Sequence, residues 1–204
     1  MKHVPALVAA LGMLGGCLSI PDVPPREYYV LADLAQPDAG ASGAAGGRVL
    51  LINPAFASPF YDTQNLVFSR APGQRAYYQF AGWTDRPGRT LGELLARRLD
   101  ANGGFRAVAA STAGVKGDIV LHVRLEEFYH DVTAKPGSVR IEATAVLVDP
   151  VGRALIARRR FVQSAPVSDE NAQAAVSAFN QATTALLDEV SAWIVSAAAQ
   201  ARAP

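Results

Sequence analysis

Residues 118–131 (DIVLHVRLEEFYHD) constrain this chain more than any other stretch. Ile119, Leu121, Val123 and Leu125 point one way; His122, Arg124 and Glu126 point the other. Alternation with period two is the pattern of a strand with one face buried and the other in water. Two more strand-like runs follow, 138–148 (SVRIEATAVLV) and 154–162 (ALIARRRFV). They join through Asp149-Pro150-Val151-Gly152, whose Pro and Gly mark a hairpin turn. The three predict an antiparallel meander with one solvated face, and its apolar face has to be covered by another layer. A cover is present at the C-terminus. Beyond Ser168-Asp169-Glu170, the residues Val176, Phe179, Thr183, Leu187, Val190, Ile194 and Ala197 recur at threes and fours. That spacing makes an amphipathic helix of about seven turns.

The upstream half adds strands and a second helix. Residues 26–31 (REYYVL) predict a first strand, and 48–54 (RVLLINP) a buried central one ended by proline. Runs 65–70 and 75–80 flank Ala71-Pro72-Gly73-Gln74 and predict a hairpin. Thr90 and Glu93 have the spacing of a capping box. Leu91, Leu94, Leu95 and Leu99 form one stripe after it, and Asn102-Gly103-Gly104 ends the helix. A strand over 105–109 then returns. The expected fold is α/β: a single mixed sheet with an antiparallel meander, packed by two main helices. It occupies one domain over 26–204, with a flexible small-residue loop at 36–47 (QPDAGASGAAGG).

The N-terminus reads differently. A basic start, Met1-Lys2-His3, precedes eleven mostly apolar residues, the length of a secretory signal core and short of the roughly 20 that span a membrane. Leu14-Gly15-Gly16-Cys17 closes it and resembles a bacterial lipobox, and Cys17 is the only cysteine in 204 residues. That resemblance implies a signal peptide over 1–16, cleavage before Cys17, and acylation of its sulfur, which joins the protein to membrane lipid. Two or three chains anchor durably where one binds only marginally. Residues 17–25, with three prolines, form the lipidated tether. By resemblance to enterobacterial lipoproteins, Leu18 rather than Asp after the cysteine implies passage to the outer membrane.

Composition narrows the function. Nineteen basic against 18 acidic residues give net charge +1 and no electrostatic reason for nucleic acid. A lone cysteine cannot build a multi-cysteine zinc site. His122 and His130 fall on the same face of one strand by simple alternation, but eight residues place them about 26 Å apart, too far to share a metal. Glu126, Glu127 and Asp131 lie near His130 without any nucleophile motif beside them. The glycines at 40–47 lack the Lys-Ser/Thr of a phosphate loop. Arg158-Arg159-Arg160 alternates faces along its strand and reads as a solvated edge that discourages aggregation. No catalytic residue, metal site or cofactor is expected.

One family pattern runs from 26 to 106. Tyr28-Tyr29-x-Leu31 comes soon after the lipobox, then Pro59-Phe60-Tyr61-Asp62-x-x-x-Leu66-Val67 and Pro72-Gly73-Gln74-x-x-Tyr77-Tyr78. Trp83-Thr84-Asp85-x-Pro87 leads into the leucine stripe, and Gly104-Phe105 closes it. In order and spacing this resembles the ABC-type transport auxiliary lipoproteins, the PqiC/YmbA type, with Thr84 where the family usually has Ala. The resemblance implies a non-catalytic outer-membrane lipoprotein facing the periplasm. It also implies partnership with an Mce-domain protein and, through it, an inner-membrane permease and ATPase. Such systems move lipids or other apolar molecules between the membranes of Gram-negative bacteria. The protein would dock the Mce assembly, and a homo-oligomeric ring is among the arrangements implied. Asp62, Tyr77, Trp83 and Asp85 either shape the docking face or, for the aromatics, fill the core under the hairpin. Two rival readings are a carrier that encloses a lipid between sheet and helix, and an envelope hydrolase acting through His130.

Overall fold

A computed structural model describes residues 24–35, 47–53 and 55–201. Cys17, the lipobox and nearly all of the 36–47 loop lie outside them. In chain order the elements are β1 (Glu27–Tyr29), β2 (Val49–Ile52), β3 (Phe56–Ala57), β4 (Asn65–Ser69), β5 (Ala76–Trp83) and α1 (Pro87–Ala101). They continue with β6 (Ala107–Ala110), β7 (Ile119–Asp131), β8 (Ser138–Asp149), β9 (Ala154–Pro166) and α2 (Ala172–Gln200). One mixed sheet takes all the strands, and both helices pack on the same face of it.

Strand β7 is the axis of the sheet. One of its edges pairs along its length with β8, and β8 pairs with β9, which completes the expected antiparallel meander. The other edge is shared by three parallel neighbours in turn: β2 opposite Ile119–Leu121, β3 opposite Arg124–Leu125, and β4 opposite His130–Asp131. The sheet therefore forks. One branch runs β7-β2-β6 and the other β7-β4-β5-β1. All four residues of β2 are buried, as suits a strand paired on both sides under a helix layer. The two-residue β3 bridges the fork.

The apolar faces meet between sheet and helices. Leu50, Leu121, Leu125, Ile141 and Leu147 from the sheet face Leu95 and Leu99 of α1 and Phe179 and Ile194 of α2, all with essentially no exposure. Each such side chain contributes about 1.5–3 kcal/mol by leaving water. A clamp fixes the chain after β1 across both helices. Arg98 of α1 binds both carboxylate oxygens of Asp33 at 2.6 and 2.7 Å and also pairs with Asp188 of α2. Asn180 and Thr184 of α2 accept from the amides of Ala32 and Leu34. Leu31 is buried beneath.

Two expectations need correction. First, α1 begins at Pro87, one turn before the position Thr90 was expected to cap. Proline at the first helical position has its φ preset and no donor to waste. Thr90 thus lies inside the helix, its hydroxyl donating to the Arg86 carbonyl, and Glu93 pairs with Arg89 instead of closing a capping box. The helix ends as expected, with Gly103 at φ 61° just past it. Second, β7 carries a bulge between Leu125 and Glu127. An inserted residue reverses which side chains face which way. His122 stays on the open face, half-buried beside Asn53, whereas His130 turns into the core with no exposure. The two histidines are therefore on opposite faces, not the same one.

Candidate functional site

The fork in the sheet leaves a groove beside α1. It has a volume of about 710 Å³ and is floored by Ile52, Ala55, Ala96 and Ala110, with Asp62, Asp85, Arg86, Arg89 and Glu93 around it. It opens at the carboxyl end of the parallel pair β2–β6, where open sheets in mixed folds commonly take ligands. Local sequence explains the floor. Gly88 and Gly92, four residues apart on α1, present no side chain to β3. A Cβ at either would come to 3.2 Å from the Cβ of Ala57 or Ala55. The missing side chains let helix and strand approach closely and keep the groove shallow and apolar.

The rim is a ladder of ion pairs. Arg86 meets Asp62 at 3.0 Å, and Arg89 meets Asp85 at 3.5 Å and Glu93 at 3.1 Å. Every side chain here is largely solvated, so each pair contributes at most about 1 kcal/mol and can exchange its partner cheaply. Phe60, two residues before Asp62, stacks on Tyr77 with ring centres 5.0 Å apart, and both rings are about two-fifths exposed. Phe56 on β3 is more exposed still.

Of the four residues proposed from sequence for the docking face, the fold brings Asp62 and Asp85 to the groove and places Tyr77 on an exposed ring pair reached through the Asp62 loop. Trp83 is different. It is 1% exposed, edge-on to Phe128 at 5.6 Å and to Phe179 at 5.4 Å. The cause is the register shift in the β4–β5 pair, five steps of β5 from Tyr77 to Gly82 against two of β4 from Val67 to Asn65, which reverses the alternation and leaves Trp83 on the face that α2 covers. Trp83 thus belongs to the core under the hairpin and is corrected from the docking face. Sequence reasoning missed Arg86 and Arg89, which tie the two acidic residues into one rim. The signal was an acidic-basic i, i+4 pair, Asp85 and Arg89, at the mouth of α1.

The open sheet face carries a second charged array. Arg160 and Arg140 both pair with Glu142, Arg140 also with Glu127, and Glu127 with Arg75. Arg75 also lies over the Tyr129 ring, 3.7 Å from its centre, and donates to the Tyr61 hydroxyl. The Arg160 guanidinium holds the Glu142 carboxyl below its ordinary range, overcoming a burial that pushes it up. In the core, His130 Nδ1 is 2.8 Å from the Tyr78 hydroxyl, while Nε2 has no partner. Burial pushes the His130 pKa down, against the charges of Asp131 and Glu170. Among the described residues no group of His, Cys, Asp and Glu is arranged to hold a metal, and no helix is long and apolar enough to cross a membrane. Between Leu91 and Leu95 of α1, Leu186 and Leu187 of α2, and the sheet, a void of about 10 Å³ remains. That is room for roughly one water.

A model of the family described as "ABC-type transport auxiliary lipoprotein component" matches residues 29–191. The chain belongs to that family. This auxiliary lipoprotein has a non-catalytic role in ABC-type transport, and it is lipid-anchored at the outer membrane, facing the periplasm. Its fold is similar to that of protein XCC0632 from Xanthomonas campestris, at 23% identity and TM-score 0.77, covering 85% of this chain and 97% of that one. An uncharacterized protein of known crystal structure is similar at 14% identity and TM-score 0.66, covering 84% and 99%. No curated protein matches the chain in sequence.

Proposed function

We propose that this auxiliary lipoprotein, cleaved after residue 16 and acylated on Cys17, docks a periplasmic Mce-domain protein at the outer membrane. The groove beside α1 is the docking face. Through that partner it works with an inner-membrane permease and ATPase that move lipids or other apolar molecules between the membranes. The observation that carries this reading is the solvated rim of Asp62, Arg86, Asp85 and Arg89 around an apolar floor, next to the exposed Phe60–Tyr77 pair. Interfaces of this kind combine an aromatic anchor with a polar, exchangeable rim. The affinity-tagged lipoprotein, solubilised from the envelope in mild detergent, should bring down an Mce-domain protein in stoichiometric amount. Recovery of the lipoprotein without any Mce-domain protein would contradict the proposal.

A further inference from the structure

Resting on the acylation of Cys17, we propose that the domain meets the lipid headgroup layer with one defined end. That end comprises the N-terminal end of α2, the turn between β4 and β5, and the turn between β7 and β8. The opposite end, with the β8–β9 turn and the C-terminus of α2, points into the periplasm.

The argument starts from where the chain enters the fold. Strand β1 runs parallel to β5, with Glu27 opposite Ala81 and Tyr29 opposite Trp83. β5 begins at Ala76, beside the β4–β5 turn, so β1 runs away from that turn and the chain upstream of Glu27 approaches from it. Pro24 and Pro25 line a hollow with Tyr78, Gln79 and Asn171, the residue that caps α2. The β7–β8 turn lies at the same end, since Ser69 of β4 pairs with Asp131 and Lys135 pairs with Glu170 just ahead of α2.

Reach then excludes the inverted orientation. Seven residue steps lead from Cys17 to Pro24, and even fully extended they span at most about 25 Å. Helix α2, 29 residues long, extends about 43 Å to its other end. That far end packs near Asp149 and Ala154, so the β8–β9 turn goes with it. An upright domain with its far end on the membrane would need a tether of about 43 Å, longer than the chain allows. Charge at the near end is balanced, with exposed Arg70 and Lys135 against exposed Asp169 and Glu170. The acyl anchor, rather than headgroup charge, therefore supplies the affinity. In this orientation the Asn53 end of the groove lies well clear of the lipid, while Tyr77, the second residue of β5, lies near the membrane end. Asn53 bonds to Leu121, ten residues along β7 from Asp131, which is about 30 Å from the membrane end.

The test uses the acylated full-length protein, purified from outer membranes and reconstituted into phosphatidylcholine vesicles containing headgroup-spin-labelled lipid. A single bimane is placed on Gln74→Cys, in the β4–β5 turn, or on Val151→Cys, in the β8–β9 turn. Cys17 is unavailable to the label because its sulfur is acylated. Both variants should float with the vesicles, and the Gln74 probe should be quenched several-fold more than the Val151 probe. Equal or reversed quenching in floated protein would overturn the orientation and leave the anchor standing. Protein that fails to float would overturn both.

Discussion

The two faces of the sheet use similar residues for opposite ends. On the covered face, Trp83, Phe128 and Phe179 pack ring to ring, the last two stacked at 4.3 Å, and His130 is fully buried against Tyr78. On the open face and around the groove, Tyr77, Phe60 and Phe56 remain in contact with water, and the charged side chains pair in solvated ladders. Tyr77 and Trp83 belong to the same eight-residue strand, so sequence proximity does not decide the role; the side of the sheet does. Aromatics on the covered side hold the fold together, and Phe56, Phe60 and Tyr77, exposed on the other side, are available to a partner.

Separating stability from binding would break or sharpen that contrast. The largest effect belongs to Trp83→Ala, which should cost about 3–5 kcal/mol of stability by leaving a cavity against Phe128 and Phe179. Denaturant unfolding measures this, and the fraction still folded should bind the partner as before. Tyr77→Ala should do the reverse. Its loss of partner affinity should be about 2 kcal/mol, near thirtyfold, by titration calorimetry, with unfolding changed by no more than about 1 kcal/mol. Glu142→Gln removes the shared partner of Arg140 and Arg160 and should lower stability by about 1–2 kcal/mol, less at high salt. The smallest effect is a slope. Folded His130 has a depressed pKa, so its neutral form contributes stability that is present above the ordinary histidine pKa near 6.5 and is lost as pH falls from there towards the folded value. Unfolding free energy followed from pH 7.5 to 5.5 should decline, and His130→Gln should flatten the decline. Glu142 contributes in a separate, lower window. Its depressed pKa means stability lost only as pH falls below about 4.5.

Much of this architecture is legible in the sequence because it rests on local patterns. Alternation gives the meander, the spacing of Phe179, Leu187 and Ile194 gives α2, and the Pro-Gly pair gives the β4–β5 turn. What stays hidden depends on pairing. The bulge after Leu125 has no local mark, so nothing in residues 118–131 announces that His130 turns inward. The start of α1 misleads because Thr90-x-x-Glu93 has capping-box spacing, while the proline three residues earlier already supplies a helical φ. Strand β3 is two residues long and exists only because β7 has an edge free between β2 and β4. The groove itself is non-local. Asp62 and Asp85 are 23 residues apart in the chain, and only the return of β5 beside β4 brings both to the first turn of α1. The family pattern did contain Phe60, Asp62, Tyr77 and Asp85, though it could not sort them from Trp83.

Reversing the acidic part of the rim tests the docking face most directly. Asp62→Lys combined with Asp85→Lys changes two solvated side chains and leaves the core untouched, so loss of the Arg86 and Arg89 pairs should lower stability by no more than about 2 kcal/mol and the variant should stay folded. Titrated with the Mce-domain protein that co-purifies with the wild type, the double variant should bind at least about tenfold more weakly, a loss near 1.4 kcal/mol. Wild-type affinity in the folded double variant would contradict the assignment of this groove as the place where the transport assembly docks.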